Sequence, residues 1–241
     1  SGFQTEAGGA PPNGDPGSDW WVWTRDPANV ADGIVSGDLP EDGPGFWDRY
    51  PGDLKLAQKR LRNNAFRLGI EWSRVFPSST AGVDASGGLT LAVLQQLDLL
   101  ADQAAVARYR AIFAEIHARG LTPFVTLVHF TLPLWIHDPI ATRDALAGSD
   151  PNASPPSGFG PAGWLDAAIV PELAKYAAYV AWKFGDQIDV WTPINEPFVV
   201  AVSGYVNIPG ALAGHFPPGA FSFAGALAVI LNEVAGQAAA Y

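Results

Sequence analysis

Three apolar, β-prone runs, each preceded by a helical stretch, constrain this chain more than any other feature. They span residues 64–72, 123–130 and 188–195, each bounded by turn residues and rich in branched and aromatic side chains. The segments in front of them, 55–62, 91–119 and 171–184, carry helical patterns. Gly120 and Gly185 close the second and third, and Pro171 reads as a helix start. Strand and helix alternating in this way make parallel βαβ units with helices covering the sheet.

The runs recur about every sixty residues, so 241 residues hold three of them plus a truncated one at 3–6. A closed parallel barrel needs eight strands. The chain is therefore expected to be a single α/β domain over residues 1–241, amounting to about half of such a barrel and ending on a helix at 222–241. Five long loops, 8–19, 32–45, 77–88, 147–163 and 207–219, exceed simple connectors and can wall a cleft.

Composition removes several functions. Net charge is −10 with 14 basic residues, which is not the electrostatic footprint of a nucleic-acid binder. The longest apolar region, 221–241, is interrupted by Asn232, Glu233 and Gln237 and reads as a helix rather than a membrane span, so a cytoplasmic location is expected. The absence of cysteine excludes disulfides, thiolate nucleophiles and Cys-metal sites. His117, His137 and His215 form no metal-ligand spacing with His129, and no phosphate or dinucleotide fingerprint follows a strand, so neither metal nor cofactor is expected. No Gly-x-Ser-x-Gly elbow is present. Methionine is also absent, so Ser1 does not read as a natural start. The nine tryptophans suit either core packing or flat faces for a ring-shaped ligand such as a sugar.

Chemistry concentrates at strand ends. The run Val190-Trp191-Thr192-Pro193-Ile194-Asn195-Glu196-Pro197 stops where Pro197 cannot donate to a ladder and moves Glu196 out of the helical region. That leaves the Glu196 carboxylate at the strand mouth, beside an Asn195 amide able to bond a hydroxyl. Glu196 suits a general acid, or equally a cap or cation partner for the next helix. Arg67 lies inside an apolar run, which demands a carboxylate partner such as Glu71 or Glu196. It could fix the charge of a second catalytic carboxylate or serve a structural ion pair. His129 ends the second strand as Asn195 and Glu196 end the third, so all three are expected in one mouth, where neutral imidazole can bond a hydroxyl-rich ligand or be satisfied in the core.

Six ordered motifs carry a family resemblance: Gly2-Phe3-Gln4-Thr5-Glu6, Asp19-Trp20-Trp21-Val22-Trp23, Val35-Ser36-Gly37-Asp38-Leu39-Pro40, Phe66-Arg67-Leu68-Gly69-Ile70-Glu71-Trp72-Ser73-Arg74-Val75-Phe76-Pro77, Leu132-Pro133-Leu134-Trp135 and Thr192-Pro193-Ile194-Asn195-Glu196-Pro197. With them the chain resembles glycoside hydrolase family 1, and within it the archaeal-type β-glycosidases acting on β-glucosides and β-galactosides. The resemblance implies a (β/α)8 TIM barrel and a retaining mechanism with two carboxyl groups about 5 Å apart. It implies that Glu196 is the acid/base, that Asn195 bonds the sugar 2-hydroxyl, that Gln4 and His129 bond other hydroxyls, and that Arg67 holds the nucleophile ionised. Phe130 stands where the family usually has Trp, keeping an apolar face without an indole donor.

The family's nucleophile lies in a Thr-Glu-Asn-Gly type motif that this sequence does not contain. The resemblance therefore implies an amino-terminal half whose activity needs a complementary carboxyl-terminal half-barrel. The alternative is a non-catalytic half-barrel that binds sugars or forms a homo-oligomer through open edges on its first and last strands.

Overall fold

The computed structural model describes residues 2–9, 13–206 and 214–241. Its three strands, β1 (Ala65–Gly69), β2 (Thr122–Val128) and β3 (Val190–Ile194), form one parallel sheet in that order. Ala65 lies opposite Thr122, and Phe124 opposite Val190. A sequential order of parallel neighbours is the winding of a barrel wall, whereas a doubly wound sheet reverses direction. The part of the barrel present is thus three adjacent staves and their helices.

In chain order the helices are α1 (Gly2–Glu6), α2 (Asp19–Trp23), α3 (Pro27–Ala31), α4 (Phe46–Lys59), α5 (Trp72–Val75), α6 (Leu91–Leu100), α7 (Gln103–Ala118), α8 (Pro139–Leu146), α9 (Ile169–Phe184), α10 (Pro197–Tyr205) and α11 (Phe223–Ala239). Among the described residues, no helix is long and apolar enough to cross a membrane. The core lies between the sheet and α5, α7 and α9. Trp72 stacks on Tyr176 with centroids 4.8 Å apart, and Phe113 meets Phe184 edge to face at 5.4 Å. The Tyr176 hydroxyl donates to the Ile70 carbonyl at 2.8 Å, so an aromatic large enough to fill the layer also satisfies its own polar tip. Trp23, Trp72 and Trp164 are buried, while Trp182 is exposed, and most tryptophans serve packing.

Four expectations are corrected. The segment 3–6 is helical rather than a strand. Among the described residues no neighbouring strand offers it a ladder, so it closes its own hydrogen bonds, and the Phe3 N–H at its start donates to Glu71 Oε1 at 3.0 Å. The helical run 91–119 is two helices. Asp102 breaks it by accepting from the Ala104 and Ala105 N–H groups at 2.8 and 3.1 Å as the N-cap of α7. Of the runs expected as buried strands, only the middle one, β2, is mostly buried, from Val125 to Val128 without interruption. Val125 and Thr126 of β2 are inaccessible, whereas Ala65 and Arg67 of β1 and Val190 of β3 are exposed, because each outer strand has one neighbour. Lastly, the open edges belong to β1 and β3 rather than to a strand at 3–6.

Of the long loops, residues 10–12 of 8–19 and 207–213 of 207–219 lie outside the described residues. The 77–88 loop packs down onto α9. Thr80 donates to Glu172 at 2.6 Å, and Lys175 donates to the Thr80 carbonyl at 2.7 Å.

Candidate active site

The carboxyl ends of β2 and β3 run in register. Val128 lies opposite Ile194, and the Asn195 N–H donates to the Val128 carbonyl at 2.9 Å. One step further stand His129 and Asn195, and beyond them Phe130 and Glu196 adopt left-handed backbone conformations with φ of 77° and 44°. Such a conformation costs a non-glycine residue about 1–3 kcal/mol and clusters at functional sites. At Glu196 the cause is partly local, since Pro197 opens α10 and excludes the right-handed helical region from the residue before it.

Glu196 occupies the N-cap position of α10, yet its side chain makes no capping hydrogen bond. It is exposed, and among the described residues it has no ion-pair partner. Helix capping and cation pairing are thereby removed as its role, leaving a free carboxylate at the strand mouth.

Among the described residues Arg67 has no carboxylate partner, contrary to expectation. Its Nε donates to Thr126 Oγ1 at 3.0 Å and its Nη2 to Asn195 Oδ1 at 2.6 Å. The strand is an edge and the guanidinium is exposed, so the desolvation penalty that made a counter-charge obligatory does not arise. Arg67 and Asn195 are nevertheless brought into direct contact from β1 and β3, 128 residues apart.

Glu71 belongs instead to a buried cluster behind the site. Thr131 donates to its Oε2 at 2.6 Å. The Tyr109 hydroxyl accepts from the Glu71 N–H at 2.9 Å and donates to Glu6 at 3.0 Å, while Arg74 pairs with Glu6 at 2.9 Å. Burial pushes Glu6 up to about 8 against the pull of Arg74, and burial also raises Glu71 and Asp15. At about 8, the Glu6 carboxyl keeps its proton at neutral pH.

His129 and Arg67 line a cavity of 430 Å³ together with Glu6, Phe46 and Phe66. Burial, reinforced by the Arg67 charge, pushes the imidazole down to about 4, so His129 is neutral across the physiological range and can both donate and accept. Its ring meets Phe130 edge to face at 4.9 Å. Phe130 meets Phe216 at 5.0 Å, and Phe216 meets Trp20 at 5.0 Å. This row of faces extends beyond the residues sequence reasoning selected; Phe216 carried no strand-end signal. Gln4 is exposed on α1 and does not line that cavity.

Two of the sequence motifs are braces. Asp19, buried, accepts from the Leu132 N–H at 2.9 Å and pairs with His137 Nδ1 at 2.8 Å. Trp135 Nε1 donates to the Phe76 carbonyl at 2.9 Å. They anchor the segment that follows His129 and Phe130. Among the described residues, no group of three or more His, Asp or Glu side chains is placed to hold a metal ion.

The arrangement matches known proteins over its whole extent. A profile of glycosyl hydrolase family 1 matches residues 1–141 and 156–241. The chain is 40% identical to a β-galactosidase of Pyrococcus woesei, covering 100% of this chain and 47% of that protein. It is also 40% identical to a β-galactosidase of Saccharolobus solfataricus, covering 48% of it. Among solved structures, the β-glycosidase of the hyperthermophile Thermosphaera aggregans superimposes with a TM-score of 0.87 at 40% identity, over 100% of this chain and 49% of that one. The chain thus spans about half the length of the relatives it matches, and it belongs to glycosyl hydrolase family 1.

Proposed function

We propose that this chain forms the acid/base half of a retaining β-glycosidase acting on β-glucosides and β-galactosides. The observation that carries the reading is Glu196, an uncapped and unpaired carboxylate at the end of β3, next to an Asn195 oriented by Arg67 and in register with a neutral His129. In this mechanism Glu196 protonates the leaving oxygen and then activates water. Asn195 and His129 bond sugar hydroxyls, with Gln4 and Phe130 as further sugar contacts. Arg67 stabilises the ionised nucleophile, a glutamate supplied by a complementary carboxyl-terminal half, and residues 1–241 act as one domain.

Two surfaces support such a complement. Among the described residues the outer edge of β3 is unpaired, and α11 turns Leu227, Leu231 and Val234 outward, each more than half exposed. That spacing is an apolar stripe along one helix face, suited to cover by a following βα unit.

The test recombines this chain with a polypeptide carrying the second half of a family member and assays an aryl β-glucoside. Turnover above that of either half alone, abolished by Glu196→Gln, is expected. Absence of turnover overturns the reading. The open edges of β1 and β3 favour a second reading, a self-associating sugar-binding half-barrel. Light scattering with and without glucose separates the two, since a monomer that binds no sugar excludes the second.

A further inference from the structure

Thr126 is a residue that no strand-end argument selects. It sits at the centre of β2, wholly buried, opposite Gly69 on one side and Thr192 on the other. Packing there does not need a hydroxyl, because valine has the same branched shape, and a hydroxyl in a dry interior is costly unless bonded. The Thr126 oxygen accepts the Arg67 Nε–H at 3.0 Å.

That bond determines what Arg67 can offer. A guanidinium carries five N–H groups arranged as two forks. Thr126 takes Nε and Asn195 takes one hydrogen of Nη2, so both bonds lie on the Nε–Nη2 side of the guanidinium. Among the described residues, Nη1 and one Nη2 hydrogen are left, and donors on the two terminal nitrogens can receive a carboxylate through two parallel bonds. Asn195 is oriented by the same contact. Its Oδ1 is occupied by Arg67, so the Nδ2 group is what it presents to a ligand.

We infer that Thr126 is a positioning residue: its hydroxyl sets the guanidinium edge of Arg67 and, through Arg67, the amide orientation of Asn195. The catalytic consequence rests on the glycosidase reading, whereas the positioning does not.

Two measurements test it. In the 15N-labelled chain, Thr126→Val is expected to speed exchange of the Arg67 Nε–H with water by about tenfold or more, the loss of one charge-assisted hydrogen bond, while Thr126→Ser stays near wild type. Thr126→Ala removes the same hydroxyl and replaces the valine variant if that chain does not fold. Unchanged exchange without the hydroxyl overturns the inference. In the recombined complex, Thr126→Val is expected to lower kcat about tenfold with KM nearly unchanged. It should also move the acidic limb of the pH profile upward, as a less well-paired nucleophile holds its proton longer, and serine should restore both. An inactive wild-type complex defeats the glycosidase reading and leaves the exchange result to decide the positioning. An active complex in which valine changes neither kcat nor the pH profile overturns the catalytic consequence.

Discussion

Replacing Glu233 by glutamine should make the protein more stable, and increasingly so as pH rises. Glu233 lies on α11 at 1% exposure, and among the described residues neither carboxyl oxygen has a hydrogen-bond partner. Burial alone pushes its acid equilibrium up from 4.5 to about 8. In the folded chain the carboxyl keeps its proton where the unfolded chain has released it. Stability associated with Glu233 is therefore complete below pH 4.5 and is lost as pH rises through 8. At about 1.4 kcal/mol for each unit of pKa, the penalty is on the order of 3 kcal/mol at neutral pH and approaches 5 kcal/mol once the group is fully ionised. Urea unfolding followed by tryptophan fluorescence between about pH 5 and 8 measures it. The gap between Glu233→Gln and wild type should be under about 1 kcal/mol at the acid end and widen to about 4 kcal/mol or slightly more at the alkaline end. Glu6, also raised to about 8, imposes a slope of the same sign on both proteins, so the difference isolates Glu233. A gap that stays constant with pH would refute the reasoning.

In the recombined complex, Glu196→Gln should cut kcat for an unactivated β-glucoside by about 10²–10⁴-fold, the usual worth of a general acid, and should cost far less with a leaving group that needs no proton. The His129 ring should remain neutral down to about pH 4, visible as flat 15N imidazole shifts through the range where an exposed histidine titrates; a transition near 6.5 would contradict its burial beside Arg67. Tyr109→Phe removes both the donor to Glu6 and the acceptor for the Glu71 N–H, and should destabilise by about 1–3 kcal/mol for each buried group left unsatisfied, measured as a fall in thermal midpoint.

Much of the architecture was legible because it is written in local chemistry. The three strands appear within one or two residues of their expected starts, since apolar runs closed by glycine and proline can do little else. His129, Asn195 and Glu196 fall at strand ends for the same reason. Arg67 was legible as a residue needing an explanation, but its partners were not. Thr126 and Asn195 lie 59 and 128 residues away, and a strand's periodicity says nothing about which residues its neighbours place alongside. Glu71 was one of two carboxylates, with Glu196, expected as a partner of Arg67, yet it turns behind β1 toward Tyr109 and Thr131.

Sequence by itself determined the alternation of strand and helix, the stops at Gly120, Gly185 and Pro197, and the delivery of Asn195 and Glu196 to a strand mouth. Those outcomes depend on backbone dihedrals and hydropathy, which neighbours along the chain decide. Tertiary structure alone decided that residues 3–6 coil into α1, that Arg67 is met by Thr126 and Asn195 rather than a carboxylate, and that α11 turns Glu233 inward and its leucines outward. Those outcomes depend on register and on which faces have partners, and the surfaces that settle them come from segments far apart in the chain.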